Sequence, residues 1–226
     1  MTTTIFPGAY KVPEAARYLY VTTRLDLRKP TPRDLIRWMR LGLASQHLIN
    51  APGRELLIDF EDLVSMRIIS FLHGIGISTD KIRKAKEYLE RLTGNAHPFA
   101  TEDLWTENTD IFAEVGKFLI TASRSGQLPF GKLVRQHLVN VHDLTFSRRV
   151  ASSWTPSSGI LLKPGIQFGA PCIAKTGIPT YAVWRMFMGG DSIGFISRSY
   201  SLEESQIEHA IDWENQLAQV TFTRTA

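Results

Sequence analysis

The chain has 226 residues, of which 43% are hydrophobic, and a formal net charge of +4 at pH 7. That length is comfortable for two or three modules with cores of their own. No run approaches the roughly 18 apolar residues that a membrane span needs, which argues against a membrane-spanning protein. The single Cys172 cannot form an internal disulfide, and "MTTTIFPGAY" lacks the basic and apolar regions of a signal peptide. We therefore expect a cytoplasmic protein without a membrane partner.

The positive charge is concentrated in the first hundred residues. Residues 1–100 contain 15 Lys and Arg against 10 Asp and Glu, residues 101–150 contain 6 against 6, and residues 151–226 contain 5 against 6. The net charges of these segments are therefore +5, 0 and −1. Within residues 11–40 there are 8 bases and 3 acids. A basic zone of this kind predicts a polyanionic partner.

The first predicted elements are two helices joined by a basic connector. The stretch "VPEAARYLY" has apolar residues at helical spacing and Pro13 in its first turn, which predicts a short helix. The connector, residues 21–30, mixes β-branched, basic and proline residues, so we expect loop or strand-like segments there. Thr31 and Pro32 mark the start of a second helix over about residues 32–41.

The second helix, "TPRDLIRWMRLGL", has two different faces. Three large apolar residues recur at i, i+3 and i+4 and form one stripe: Leu35, Trp38 and Met39. Three bases at similar spacing line another side: Arg33, Arg37 and Arg40. Asp34 is the one acid in this stretch. A solvated surface helix usually mixes both signs, so this face favours contact with nucleic acid over the ordinary surface alternative.

A hairpin and two further helices complete this half of the chain. Pro52 and Gly53 stand between two short runs rich in Leu and Ile, which predicts a hairpin. Asp59 is a candidate cap for the helix "FEDLVSMRIISFLHG", and the helix after it ends near Gly94, a favourable C-terminal cap. The order helix, helix, hairpin, helix, helix predicts a winged helix-turn-helix DNA-binding domain over residues 1–94.

The residues of this half resemble a known family. The stretches "YKVPEAARYL", "TPRDLIRWMRLGL" and "GRELLIDFEDLVSMRIISFLHGIGISTDKIRKAKEYL" are similar to the DNA-binding domain of MerR-type regulators over roughly residues 9–92. In that family the second helix enters the major groove and the wing touches phosphate. By position the resemblance makes Arg33 and Arg37 groove or phosphate contacts and Arg54 a wing contact. Other candidate DNA-binding residues lie in the same basic zone: Thr31, Arg40, Arg24, Arg28 and Lys29.

The family's long dimerising helix is missing from this chain. Helix-turn-helix proteins commonly read two half-sites related by symmetry, so we expect a homodimer on an inverted repeat. Its dimerising surface should lie after residue 94.

Residues 95–151 are predicted to form a connecting region with a hairpin and a helix. Residues 104–106 and 111–115 flank "ENTD" as candidate strands, and "PFGKLVRQHLVNVHDL" has helical spacing. Four potential metal ligands occur in this region: His97, His137, His142 and Asp143. Two of these histidines are five residues apart, on different sides of a helix, and no carboxylate or thiol cluster accompanies them. We therefore predict no metal site and no cofactor.

The last region, residues 152–226, opens with "SSWTPSSG", which is typical of a loop. The stretch "ILLKPGIQFGAPCIAKTGIPTYAVWRMFMGGDSIGFISRSYSLEESQIEHAIDWENQL" resembles a small domain of unassigned function. That domain is common in bacterial antitoxins encoded beside PIN-domain ribonucleases, and the resemblance covers about residues 161–213. It implies a short β-ribbon followed by three helices near residues 180–188, 191–199 and 202–217. The fold class we expect is mainly α with small β elements.

A three-helix module is itself helix-turn-helix-like, so a second DNA-binding unit is an alternative. The last predicted helix argues against it, since it carries five carboxylates and no Lys or Arg: Glu203, Glu204, Glu208, Asp212 and Glu214. Carboxylates facing phosphates repel them at close range. The apolar residues of this helix instead suit packing within the domain or against another chain.

Two functions follow from the resemblances. Together they imply a VapB-type antitoxin of a type II toxin–antitoxin pair, which represses its own operon and neutralises a PIN-domain ribonuclease toxin by direct contact. The alternative is a MerR-like transcriptional regulator with a dimerising or ligand-sensing C-terminal module and no toxin partner. We expect no enzyme, because no nucleophile, acid–base pair or metal cluster is visible. PIN nucleases hold metal with clustered carboxylates, so Arg198 and Arg224 are our candidate toxin-binding residues.

Overall fold

The computed structural model of the chain describes residues 8–44, 47–48, 56–105 and 143–222. These residues are mainly helical and carry two small antiparallel sheets, which confirms the predicted fold class at that level. No helix within these ranges combines the length and the apolar character that crossing a membrane requires.

The N-terminal half contains a three-stranded sheet and four longer helices. Its elements are β1 Tyr10–Lys11, α1 Val12–Thr22, α2 Pro32–Arg40, β2 His47–Leu48, β3 Leu56–Ile58, α3 Phe60–Gly74 and α4 Thr79–Thr93. The strand order is β1-β3-β2, with both pairings antiparallel. The predicted hairpin strands therefore pair, while its Pro52-Gly53 turn lies outside the described residues. The element order agrees with a winged helix-turn-helix, and that assignment stays a prediction.

Local signals explain where these helices begin and end. Thr31 and Asp34 form a reciprocal capping box at the start of α2, with the Asp34 carboxylate accepting from the Thr31 amide at 2.9 Å. Asp59 caps α3 by accepting from the Asp62 amide at 2.7 Å. Gly94 ends α4 in the left-handed region, at φ 67°. Such caps satisfy amides and carbonyls that a helix end leaves without partners, and each is readable from the sequence.

The C-terminal half contains the second sheet and a three-helix module. Its elements are the short helix α5 Glu102–Trp105, the strands β4 Leu144–Ser147, β5 Val150–Ser157, β6 Ile160–Leu162 and β7 Cys172–Ile173, and the helices α6 Thr180–Met188, α7 Ile193–Tyr200 and α8 Glu204–Gln219. The strands follow one another in the order β4-β5-β6-β7. The three final helices lie close to the predicted ranges.

Two local predictions are wrong. The stretch "SSWTPSSG" was expected as a loop, but most of it belongs to β5, because Trp154 is buried and the strand pairs with β4 on one side and β6 on the other. The predicted strand at residues 104–106 is also wrong in its described part, since Glu102–Trp105 is helical. The partner strand at residues 111–115 and the helix predicted from "PFGKLVRQHLVNVHDL" lie outside the described residues.

The two halves pack against each other along α1 and α8. Tyr18 and Trp213 have ring centroids 6.0 Å apart, and the buried Tyr10 hydroxyl donates to the Gly169 carbonyl at 3.0 Å. The backbone adds a bond from the Ala9 amide to the Phe168 carbonyl at 3.2 Å. The buried apolar residues of both halves belong to one continuous core. The division into three domains stays a prediction. Its N-terminal and C-terminal domains pack against each other along α1 and α8.

A histidine–carboxylate pair ties the segment after α4 to α3. His97 Nδ1 lies 3.1 Å from Asp62 Oδ1, and His97 Nε2 lies 4.0 Å from Glu61 Oε2. Burial opposes the charged imidazolium, but the hydrogen bond to Asp62 and the neighbouring carboxylate charges outweigh it, so the pKa of His97 is raised above 6.5. The charged pair stabilises the folded state fully below the unfolded-state pKa, and that stability is lost as the pH rises through the higher folded-state pKa.

We therefore expect His97→Gln to cost stability at acidic pH and little at alkaline pH. The difference in unfolding free energy between the parent and the variant should be on the order of 1 kcal/mol larger at about pH 5.5 than at about pH 8.5. Urea unfolding at both pH values measures it. His209→Gln, on α8 and outside this cluster, is the control. A cost for His97→Gln that does not change with pH would show that the pair acts through packing alone.

Candidate nucleic-acid interface

Helix α2 presents the two faces that its sequence predicts. Leu35, Trp38 and Met39 are buried, with at most 2% of each side chain exposed. Arg33, Arg37 and Arg40 are all exposed on the other side of the helix. The apolar face packs on α1 and the arginines are left facing solvent, so the three guanidinium groups form one surface, which we call the α2 arginine face.

The α2 arginine face has no compensating acids within the described ranges. No ion pair joins Arg33, Arg37 or Arg40 to another described residue. The bases of α4, of which Arg83 and Lys84 are exposed and Lys86 is partly buried, provide a contrast. The Asp80 carboxylate lies 2.8 Å from Arg83 and 3.1 Å from Lys84, and Lys86 lies 2.5 Å from Glu90. The charges of α4 are thus largely balanced, whereas those of α2 are available to an external anion.

The other predicted DNA-binding residues behave differently. Arg24 makes two hydrogen bonds to Asp26, at 2.9 and 3.0 Å, and Arg28 lies 2.8 Å from Asp34. The Lys29 ammonium lies 4.4 Å from the centre of the Tyr20 ring. The Thr31 hydroxyl is part of the α2 cap and donates to Asp34 at 2.8 Å. Arg54 lies outside the described residues. The structure therefore leaves the arginines of α2 as the least engaged part of the predicted set.

His73 connects the arginine helix to the two helices behind it. Its ring stacks on Trp38 with the centroids 5.6 Å apart, and its Nε2 lies 3.0 Å from the Thr79 hydroxyl. Burial is the largest cause that lowers the pKa of His73, and the charge of Arg28 lowers it further, while Asp34 raises it and Arg37 adds a smaller lowering effect. Because this imidazole stays neutral near pH 7, it supports α2 through stacking rather than through a charge.

The C-terminal module presents surfaces of a different kind. Arg198 is exposed on α7, while Arg224 lies outside the described residues. Four of the five predicted carboxylates of the last helix are exposed: Glu203, Glu204, Glu208 and Asp212. The apolar residues of α8 are buried inside the protein, among them Ile207, Ala210 and Ile211. The surface of α8 is therefore acidic, which disfavours phosphate contacts there.

An exposed apolar surface lies on α6 and α7, and sequence reasoning missed it. We call it the α6–α7 apolar surface, and its large side chains are Tyr181, Phe187, Met188 and Phe195, with 37–62% of each exposed. Large exposed apolar side chains on neighbouring helices are typical of contact surfaces. The periodicity of α6 is the signal that could have revealed it, because apolar residues occur on more sides of this helix than one core contact can cover.

One group of potential metal ligands lies in the described part of the chain. Donor atoms of Asp59, Asp62 and His97 lie within 4.8 Å of one another. Hydrogen bonds inside the group account for this arrangement, because the Asp62 amide donates to Asp59 and the His97 imidazole pairs with Asp62. Asp143 pairs instead with Arg67 at 2.7 Å and accepts from the Trp154 indole at 3.1 Å. His97 and Asp143 thus have different partners, and His137 and His142 lie outside the described residues.

Comparison with known proteins places part of the chain in a family and finds a solved structure of similar fold. The family described as "Protein of unknown function (DUF433)" matches residues 160–213. No curated protein matches the chain. The crystal structure of Rv2018 from Mycobacterium tuberculosis is similar, with a TM-score of 0.66 and 19% sequence identity over 90% of this chain and 97% of that chain. At that identity the likeness shows the fold alone. Residues 160–213 are therefore a DUF433 domain, in a chain whose fold resembles that of Rv2018.

Proposed function

We propose that this protein is a VapB-type antitoxin of a type II toxin–antitoxin pair. In this proposal the N-terminal half binds operator DNA for autorepression, and the C-terminal part neutralises a PIN-domain ribonuclease toxin by direct contact. The α2 arginine face is the observation that carries the proposal. The second part rests on the resemblance of the C-terminal stretch to the small domain common in such antitoxins, and the DUF433 match, which carries no function, covers the same residues.

The dimensions of α2 suit a recognition helix. Its 9 residues span about 13.5 Å along the axis, and a helix with its side chains is about 10 to 12 Å in diameter. The major groove of B-DNA is about 12 Å wide and accepts a helix of this kind. The β2–β3 hairpin follows α2 in the chain, which is where a MerR-like wing would touch phosphate. With its apolar face buried and its arginines exposed, α2 is able to enter a groove without exposing core residues.

The α7 helix offers a surface for a nuclease partner. Arg198 and Phe195 are three residues apart and both exposed, so they lie on neighbouring positions of one helical side. Arginine and aromatic residues are the side chains that contribute most to protein interfaces. An arginine can also pair bidentately with a metal-binding carboxylate of the toxin. We therefore keep Arg198, with Arg224, as the proposed toxin contacts.

Neutralisation of the adjacent gene's product tests the toxin half of the proposal. The chain should be co-expressed with that gene, and the complex examined by size-exclusion chromatography with light scattering. We expect a stable complex containing two antitoxin chains, since operator recognition is proposed to use a homodimer. Rescue of growth on toxin induction is the functional measurement.

Two variants locate the toxin contact, with Arg198→Ala and a deletion of residues 223–226 expected to weaken rescue. The deletion begins at residue 223 because Val220 is buried and Phe222 packs on Tyr20. Lys163→Ala removes an exposed C-terminal base away from α7 and is the matched control. If both variants rescue growth and co-purify with the toxin as the parent does, the proposed toxin contacts through Arg198 and Arg224 are wrong.

The alternative is a MerR-like regulator without a toxin partner. Genomic context separates the two functions at once. A small neighbouring reading frame with the scattered acidic residues of a PIN domain favours the antitoxin. Absence of a complex with the neighbour's product, together with retained operator binding, favours the regulator.

A further inference from the structure

A cleft lies on the seam between α1 and the C-terminal module. Its volume is about 560 Å³, within the range of about 300 to 1,000 Å³ typical of small-molecule sites. The side chains that define its chemistry come from α1, α6 and α8: Glu14, Tyr18, Thr180, Tyr181, Trp184 and Glu214. None of these residues belongs to the α2 arginine face.

Two carboxylates line the cleft, and the hydrogen bonds to their side chains come from hydroxyl groups. Glu14 accepts from the Tyr18 hydroxyl at 2.6 Å, and Glu214 accepts from the Thr180 hydroxyl. Neither carboxylate has an ion-pair partner in the part of the chain that the structure describes. Arg17 is the one base among the described lining residues, and its side chain is exposed. The cleft is therefore lined by two carboxylates and one exposed base.

The ionisation of Glu214 reflects this environment. Burial raises the pKa of Glu214, the hydrogen bond from Thr180 lowers it, and the charge of Glu14 raises it further, with a net increase. Burial and the charge of Glu14 likewise raise the pKa of Tyr18, which keeps its hydroxyl protonated as a donor to Glu14. A positively charged group between the two carboxylates would relieve their mutual repulsion.

Aromatic rings form one wall of the cleft. Tyr181 and Trp184 have ring centroids 5.9 Å apart with planes inclined by 28°. The Trp184 indole donates to the Asn215 amide oxygen at 2.9 Å, which fixes the orientation of its ring. Aromatic faces attract ammonium groups, most strongly where water is excluded. Carboxylates and ring faces together are a combination that recognises an organic cation.

We infer that the α1–α8 cleft binds a small organic ammonium compound. Glu14 and Glu214 would hold the ammonium group, and Tyr181 and Trp184 would contact its apolar body. An inorganic cation uses the carboxylates alone and leaves the aromatic wall without a role. A neutral apolar molecule leaves both carboxylates uncompensated. The inference does not depend on the proposed antitoxin function, because its residues are separate from the α2 arginine face and from Arg198. Tyr181 belongs both to the cleft and to the α6–α7 apolar surface.

Phenethylamine and its neutral analogue 2-phenylethanol are the matched probes. We expect phenethylamine to bind with a Kd in the millimolar range or tighter, as suits a ligand of its size, and 2-phenylethanol to bind at least about tenfold more weakly. The protein labelled with ¹⁵N-tryptophan contains five indole signals. The signal of Trp184, assigned through Trp184→Phe, should shift on titration with the amine.

Four variants test the roles of the side chains. Glu214→Gln keeps an acceptor for Thr180 and removes the charge, so it should weaken amine binding about tenfold. Asp212→Asn removes a carboxylate of the same helix outside the cleft and should leave binding unchanged. Arg17→Ala removes a like charge and should tighten binding about two- to threefold. Tyr181→Ala changes an exposed side chain and should leave the fold intact. Weaker amine binding by this variant would support the inference even if Glu214→Gln folds poorly.

Equal binding of the amine and the alcohol would show an apolar crevice and overturn the inference. So would equal losses in Glu214→Gln and Asp212→Asn, because they would reflect overall charge. If phenethylamine does not bind, the inference is also wrong. Release of a co-purifying protein by Glu214→Gln would then show that the cleft is a protein contact. Retained operator binding and toxin rescue in Glu214→Gln would separate either failure from a failure of the proposed function.

Discussion

Replacing Arg33, Arg37 and Arg40 together by alanine is expected to reduce operator affinity by at least about a hundredfold, because each groove arginine contributes about 1 to 3 kcal/mol. The three side chains are exposed and have no ion-pair partners among the described residues, so the free energy of unfolding should change little. Gel shifts with the promoter fragment of the chain's own operon measure the loss.

The single variants Arg33→Ala and Arg37→Ala distinguish two kinds of contact. A guanine contact should lose about 1 to 3 kcal/mol on the operator alone. A phosphate contact should weaken binding to all sequences and reduce the salt dependence by about 0.9 per contact. Titrations at several salt concentrations on operator and unrelated DNA separate the two.

The matched control for the arginine variant is on α4. Arg83, Lys84 and Lys86 form a second group of three bases, but acids of the same helix pair with them. Their replacement by alanine removes the same formal charge and should leave most of the operator affinity intact. Unchanged affinity in the α2 variant, or an equal loss in both, would remove α2 from the interface and leave the proposed DNA-binding function without its main support.

Gly169→Ala is expected to destabilise the folded protein by about 2 to 4 kcal/mol, combining backbone strain with overpacking. Gly169 has φ 92°, and a Cβ there would lie 2.3 Å from the Tyr10 hydroxyl oxygen. That hydroxyl also donates to the Gly169 carbonyl. The added methyl group would therefore clash with the group that forms this hydrogen bond between the two halves. Urea unfolding measures the loss.

Two further variants check this explanation. Gly165→Ala is the control, because nothing lies within 4 Å of a Cβ at that position and its φ is not in the left-handed region. Its stability should stay within about 1 kcal/mol of the parent. Tyr10→Phe removes the hydroxyl and should make Gly169→Ala less costly in the double variant than the sum of the single changes. Additive losses would mean that the two residues do not meet as the structure shows.

The sequence by itself determined the elements whose signals are local. The cap at Thr31 and the spacing of Leu35, Trp38 and Met39 specify both the start of α2 and its buried side, so the exposure of its arginines was predictable. The three helices of the DUF433 domain were found through resemblance, within a few residues of their ends. For α2 the deciding signals join residues a few positions apart, which a single sequence displays directly.

Only the tertiary structure decided features that depend on partners distant in the chain. The strand β5 looked like a loop because its serines and Pro156 are poor strand formers, and its pairing with β4 and β6 overrides that preference. Tyr10 and Gly169 are 159 positions apart, and the cleft carboxylates Glu14 and Glu214 lie on opposite halves. Such contacts form because packing one continuous core brings α1 against α8, and no periodicity within either helix records which surface it will meet.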